Sequence, residues 1–331
     1  MHDIQYLLWA VVFFAVIFDF INGFHDTANA VATVISTRVL SPILAIIMAA
    51  GLNFLGAISG TEVAKTIGSG IVGTDISQHV VIATLLSAIV WNIITWYKGI
   101  PSSSSHALIG GLVGAGIGFA GFDQVQWQIL FQKAILPTIA SPLLAFVAGF
   151  LLMNILFKIL AGISAHRVGS FFRRAQVFSA AFMAFSHGSN DAQKTMGIIT
   201  LGLISAGVIP ASPFHVPLWV IVLSALAMAL GTAAGGWRII HTMGSRLTKL
   251  TPIHGFGAET AAASIIETAS RFGFPLSTTH VISSTILGVG ASRRFKAVRW
   301  NIAGRIFQAW IPTIPVCAVI AFLAYYAVRA M

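Results

Sequence analysis

Apolar and polar positions are sharply separated along this chain. Continuous runs of Leu, Ile, Val, Ala and Phe, such as Tyr6–Phe18 and Val216–Leu230, are too long for strands and lack the two-residue alternation of a membrane barrel. Crossing about 30 Å of hydrocarbon takes about 20 apolar residues in a helix, so the pattern predicts an all-α polytopic membrane protein with about 10–12 membrane segments. The first run has only His2 and Asp3 ahead of it. With no basic flank it reads as the first membrane helix rather than a leader.

The polar interruptions recur. Gly99-Ile-Pro-Ser-Ser-Ser-Ser-His106 reappears as Gly273-Phe-Pro-Leu-Ser-Thr-Thr-His280, and Gly114 and Gly116 match Gly288 and Gly290 at the same offset. Upstream, Asn22-Gly-Phe-His-Asp-Thr-Ala-Asn29 pairs more weakly with His187-Gly-Ser-Asn-Asp-Ala-Gln-Lys194, aligning Asp26 with Asp191. Two elements repeated in order divide the chain into an N-terminal half, 1–160, a basic cytoplasmic linker, 161–176, and a C-terminal half, 177–331. The residues alone leave open whether the halves are parallel or inverted.

Charge matters by its placement. Of 331 residues, 57% are hydrophobic and 8% charged, whereas a soluble surface takes roughly 25% charged residues. The net charge of +10 could suggest nucleic acid. Nine of its 19 Lys and Arg instead gather in two acid-free clusters, Lys158, Arg167, Arg173, Arg174 and then Arg293, Arg294, Lys296, Arg299, Arg305. That is the positive-inside signature: both clusters are expected in the cytoplasm, and no nucleic-acid partner is. Cys317 is the only cysteine, and the histidines show no His-Glu-x-x-His spacing, so neither a disulfide nor a certain metal site is expected.

An aspartate at the bilayer centre costs about 2.5–3.5 kcal/mol, so Asp26 and Asp191 must each face a partner, a cavity or an ion. The glycines and asparagines around them predict broken helices that line such a cavity. Pro101 and Pro275 are expected in the first turns of helices whose N-terminal amides, with Ser102–Ser105 and Ser277–Thr279, would hold an anion. Anion and carboxylates in one pocket imply a cation between them. Blander readings stand beside these. Small residues pack helices closely, and His106 and His280 read as satisfied core or helix-start histidines. Glu62 with Lys65, and Glu267 with Arg271, read as local ion pairs. Glu267 is also a gating or coupling candidate. Trp96, Tyr97, Trp300 and Tyr325 read as interfacial belts.

Gly23-Phe-His-Asp-Thr-Ala-Asn-Ala30, Gly188-Ser-Asn-Asp-Ala-Gln-Lys194 and the two Pro-x-Ser-hydroxyl-hydroxyl-His segments together resemble the duplicated signature of the inorganic phosphate transporter (PiT) family. The likeness extends over essentially the whole chain and is nearest to the bacterial low-affinity Pit permeases. It implies inverted repeats, two re-entrant hairpins, a phosphate site between the halves, a homodimer and the bacterial cytoplasmic (inner) membrane. It implies secondary symport driven by Na⁺ in some members and H⁺ in bacterial ones, with phosphate crossing alone or with Mg²⁺ or another divalent metal. By position it puts Ser103, Ser104, Ser105, Ser277, Thr278, Thr279, Asn29 and Asn190 on the substrate, and Asp26 and Asp191 on the cation.

Two departures bear on coupling. His25 replaces the first Asn of the family's core in copy one, and Lys194 replaces the last Asn in copy two. Na⁺ needs oxygen ligands, while histidine titrates near neutral pH and lysine brings its own charge. The expectation is therefore H⁺ coupling through His25 or an aspartate, with Lys194 standing in for one cation. Na⁺-coupled phosphate transport and transport of sulfate by the same fold are the alternatives. A membrane enzyme acting on phosphorylated lipid, with Ser103 or Ser277 as nucleophile, lacks an acid–base set. A transporter without cofactor is expected.

Overall fold

Two successive sets of six helices build the computed structural model, which describes residues 2–69, 71–73 and 75–330. The first set is α1 (His2–Ser36), α2 (Pro42–Ala57), α3 (Glu62–Ser69), α4 (Gln78–Tyr97), α5 (Ser104–Ala120) and α6 (Trp127–Ile159). The second is α7 (Ala165–Ser205), α8 (Leu218–Ala234), α9 (Trp237–Arg246), α10 (Pro252–Arg271), α11 (Thr278–Arg293) and α12 (Trp300–Arg329). Each set runs through a long first helix, a bent pair, two helices joined at a hydroxyl-rich tip, and a long last helix. The bends match, 69° between α2 and α3 and 62° between α8 and α9.

The helices do not break where the glycines suggested. α1 passes through Asp26 and α7 through Asp191 without interruption, over 35 and 41 residues. Glycine serves close packing there instead. A Cβ on Gly23 would lie 2.5 Å from Met228 O, and one on Gly188 2.2 Å from Asn53 O. Their partners are notched in return: a Cβ on Gly231 would meet Phe20 O at 2.1 Å and one on Gly56 Phe185 O at 2.0 Å. α1 thereby locks onto α8 and α7 onto α2, and in the same crossed manner α5 packs on α12 and α11 on α6.

α1 and α7 lie antiparallel across the centre. Asp19 neighbours Thr195, Thr33 and Ser179 share Glu259, and Thr37 donates to Gln176 Oε1 at 2.8 Å.

The tip helices also begin differently from the expectation. Ser103 and Ser277, in extended backbone, cap α5 and α11, their hydroxyls accepting His106 N at 3.1 Å and His280 N at 3.2 Å. Pro101 and Pro275 therefore precede the helices rather than open them, because the serine cap sets the first turn. The basic stretch expected as linker is helical from Ala165, leaving Leu160–Ser164 as the turn.

Among the described residues, four helices are long and apolar enough to cross a bilayer, or up to six if each bent pair is one span. α7 and α10 fall short because their inward faces are polar. Leu143 and Leu144 on α6 and Val319 and Leu323 on α12 are exposed, an apolar surface suited to hydrocarbon. Tyr325, expected at an interfacial belt, is instead buried against Phe119 and Gly118. Glu62 and Lys65 are not among the ion pairs of the described residues.

Candidate functional site

Both hairpin tips and both aspartates meet at the centre. Asp26, on α1, touches His25 Nδ1 at 2.5 Å, accepts Ser104 Oγ at 3.3 Å from one tip and Thr279 Oγ1 at 3.4 Å from the other. Asp191, on α7, accepts Thr278 Oγ1 at 2.9 Å, lies 3.2 Å from His187 Nε2 and pairs with Lys194. Asn29 donates to Thr278 Oγ1 at 3.1 Å and Thr279 Oγ1 at 2.9 Å. Each carboxylate is thus bound by the second repeat's tip, and the first tip reaches Asp26 as well. All these side chains are buried.

Lys194 is held as a bound cation would be. Its ammonium pairs with Asp191 and donates to Ser105 Oγ at 2.5 Å and Leu276 O at 3.0 Å. A buried ammonium needs such neutralising oxygens. His25 spans the other carboxylate and a hydroxyl pair, its Nε2 lying 3.1 Å from Thr95 Oγ1 and 3.4 Å from Ser102 Oγ. Ligand atoms of Asp26, His187 and Asp191 all lie within 4.8 Å of one another, close enough for one metal ion.

Other expected site residues sit further out. The hydroxyls of Ser103 and Ser277 are committed to capping, leaving Ser104, Thr278 and Thr279 on the carboxylates and Ser105 between Lys194 and Leu276 O. Asn190 donates to Ser270 Oγ at 2.8 Å and Phe274 O at 3.2 Å, while its Oδ1 has no partner among the described residues. Glu267 lies outside the aspartate cluster, paired with Arg271 at 2.8 Å and accepting Ser189 Oγ at 2.8 Å. His106 bonds Thr138 Oγ1 at 2.7 Å, and its ring meets that of His280 edge-on at 4.5 Å between centroids. His280 stacks on Trp310, and both its ring nitrogens lack partners among the described residues.

A cavity flanks each tip. One, of about 250 Å³, includes Glu62, Ser189, Glu267 and Arg271 in its walls; the other, of about 270 Å³, is lined by Lys98, Arg246 and Arg305 among others. Equivalent contacts fix the two tips: Thr66 Oγ1 donates to Gly273 O at 2.7 Å, and Thr242 Oγ1 to Gly99 O at 3.0 Å. Gly99 and Gly273 both have positive φ, +62° and +70°, the conformation glycine adopts without strain.

Three buried polar groups escaped the sequence reading. His187 stands four residues before Asp191, a spacing that matters only on an unbroken helix. Asp19, beside Asn22 and Thr195, has no bonded partner for either carboxylate oxygen among the described residues. Glu259 accepts Thr33 Oγ1 at 2.5 Å, Gln176 Nε2 at 3.1 Å and the Ser179 hydroxyl. With Asp26, they extend a polar stripe along α1 through Asp19, Asn22, Asp26, Asn29 and Thr33, at helical spacing.

Known proteins match the whole arrangement. The phosphate transporter family model matches residues 22–321. Proteins described as "Probable low-affinity inorganic phosphate transporter" from Rhizobium meliloti (strain 1021) and Bacillus subtilis (strain 168) are each 49% identical, aligning over 97% and 96% of this chain and 96% and 95% of their own. One from Mycobacterium tuberculosis (strain ATCC 25618 / H37Rv) is 44% identical over 97% of this chain and 77% of its own. A solved structure titled "The sodium-dependent phosphate transporter" shares the fold with TM-score 0.90 at 23% identity, covering 98% of this chain and 99% of that one. With paired tips, crossed helices and relatives over its full span in agreement, the chain belongs to the phosphate transporter family.

Proposed function

We propose that this protein is a symporter that imports inorganic phosphate by alternating access, coupled to H⁺, across the bacterial cytoplasmic membrane. The observation that carries H⁺ coupling is the pair of counter-charges: Lys194 occupies a cation's place beside Asp191, and His25, 2.5 Å from Asp26, can pass one proton. Asn29, Ser104, Ser105, Thr278 and Thr279, with the first-turn amides of α5 and α11, are the donors a tetrahedral oxyanion needs. Lys194 adds charge to that side. A cavity beside each tip supports alternating access, since each lies next to one of the two equivalent hairpins.

The antiparallel run of α1 against α7 supports inverted repeats. Charge agrees: the α5–α6 loop carries Asp123 and no basic residue, whereas its counterpart between α11 and α12 carries Arg294, Lys296 and Arg299. Loops equivalent in the repeat but opposite in charge belong on opposite faces under the positive-inside rule.

Uptake into proteoliposomes under separately imposed gradients is the test. Accumulation should follow ΔpH without Na⁺, and accumulation that follows Na⁺ and ignores ΔpH overturns the proton reading. The second reading, a cation travelling with phosphate, is favoured by the Asp26–His187–Asp191 cluster. A strict Mg²⁺ or Na⁺ requirement at zero ΔpH would select it. Inhibition of labelled uptake by excess sulfate tests the anion, and native mass spectrometry in nanodiscs tests the homodimer.

A further inference from the structure

A third cavity, of about 440 Å³, opens at the basic end of the molecule, where α10 begins, α11 ends and the α11–α12 loop passes. Lys249, Arg293, Arg294, Lys296 and Arg299 line it, and none of its lining residues is acidic. We infer that it is a binding site for a phosphoryl-bearing polyanion, distinct from the transport site and carried either by a soluble phosphate compound or by an anionic lipid headgroup.

His254 supplies the sharpest reason. It lines the same cavity, is 6% exposed, and its Nδ1 takes the backbone N–H of Thr251 at 3.3 Å and the Thr251 hydroxyl at 2.6 Å, in the capping box that opens α10. An Nδ1 that accepts leaves the ring proton on Nε2, and Nε2 has no partner among the described residues. A buried donor without an acceptor costs about 1–3 kcal/mol. An anion in the cavity relieves that cost and the mutual repulsion of the five cations together.

The other repeat shows that the fold does not require this. Its equivalent loops meet by the same backbone contacts: Gly73 N donates to Gln124 O at 3.2 Å and Gln126 N to Ile71 O at 3.0 Å, as Arg299 N does to Leu247 O at 3.0 Å. Yet the charged residues of those loops are Asp75 and Asp123. The positive-inside rule explains cations on one face, but not their convergence on a cavity with a buried unpaired donor. The volume falls within the roughly 300–1,000 Å³ of small-molecule sites, larger than orthophosphate fills, and arginine forks suit phosphoryl oxygens. A ligand reaching these groups ties together the ends of α10, α11 and α12, and so steadies the second hairpin from behind.

The test compares the full-length protein with Arg293→Ala/Arg299→Ala and with His254→Gln. Glutamine is an ordinary third residue of a capping box, so the second variant keeps the helix start. In phosphatidylcholine nanodiscs, tripolyphosphate titrated calorimetrically should bind saturably to the wild type and at least tenfold more weakly to both variants. In nanodiscs with phosphatidylglycerol and no added phosphate, native mass spectrometry should show one retained anionic lipid fewer in both variants. A difference in the first arm assigns a soluble source, and one in the second a lipid. Equal binding of both probes by all three proteins overturns the inference. Neither readout uses phosphate uptake, so the result stands apart from the proposed transport.

Discussion

Asp26 and Asp191 occupy matching turns of matching helices, yet their neutralising partners differ in kind. Asp191 shares a permanent charge with Lys194 and takes His187 as a second neighbour; Asp26 has the titratable His25 and hydroxyls from both tips. An architecture duplicated in outline thus differs in the partners it gives its two carboxylates, an ammonium in one copy and an imidazole in the other. What the pair teaches is that symmetry positions the carboxylates, while single residues, His25 beside one and Lys194 beside the other, set what each touches.

The sharpest way to break this comparison is to neutralise either acid. Asp26→Asn and Asp191→Asn should each reduce labelled phosphate uptake to background with normal amounts of protein in the membrane; near-normal transport by both would remove the site. Next in size, Lys194→Met should lower stability by ~3–5 kcal/mol, because it strands a buried carboxylate. Thermal unfolding in detergent reads this, and Asp191→Asn in the same chain should restore much of the loss. His25→Gln should leave stability closer to wild type and abolish the ΔpH response instead. The glycine notches come third. Gly23→Ala and Gly188→Ala should each destabilise by ~1–3 kcal/mol, whereas Gly51→Ala, in the interior of α2 with no atom within 4 Å of the added Cβ, should not destabilise and should gain up to ~1 kcal/mol of helix propensity. Last, Ser103→Ala and Ser277→Ala should each cost ~1 kcal/mol as lost caps, and clearly unequal costs would show that the two tips are not equivalent.

Much of this was legible beforehand. The tip motifs, both aspartates and the division into halves stand out in the sequence because repetition singles them out. The broken helices were misread because a glycine's effect depends on what it packs against, and the partners of Gly23 and Gly188 lie in the opposite half. That error hid His187. Asp19 and Glu259 were missed for a different reason: the equivalent positions in the other repeat hold Ala184 and Leu85, so no repetition marked them. The commitment of Ser103 and Ser277 to capping depends on backbone angles that composition does not carry.

The reciprocal glycine notches also constrain biogenesis. α1 is translated well before α8, bearing a row of amides and acids on one face, and the helix that covers its seam comes late: Thr27 meets Thr232, 205 residues further on. Until then the nascent first half must be shielded by the insertion machinery or by lipid headgroups. Split genes encoding the halves separately would have to find each other before either could become a durable membrane resident.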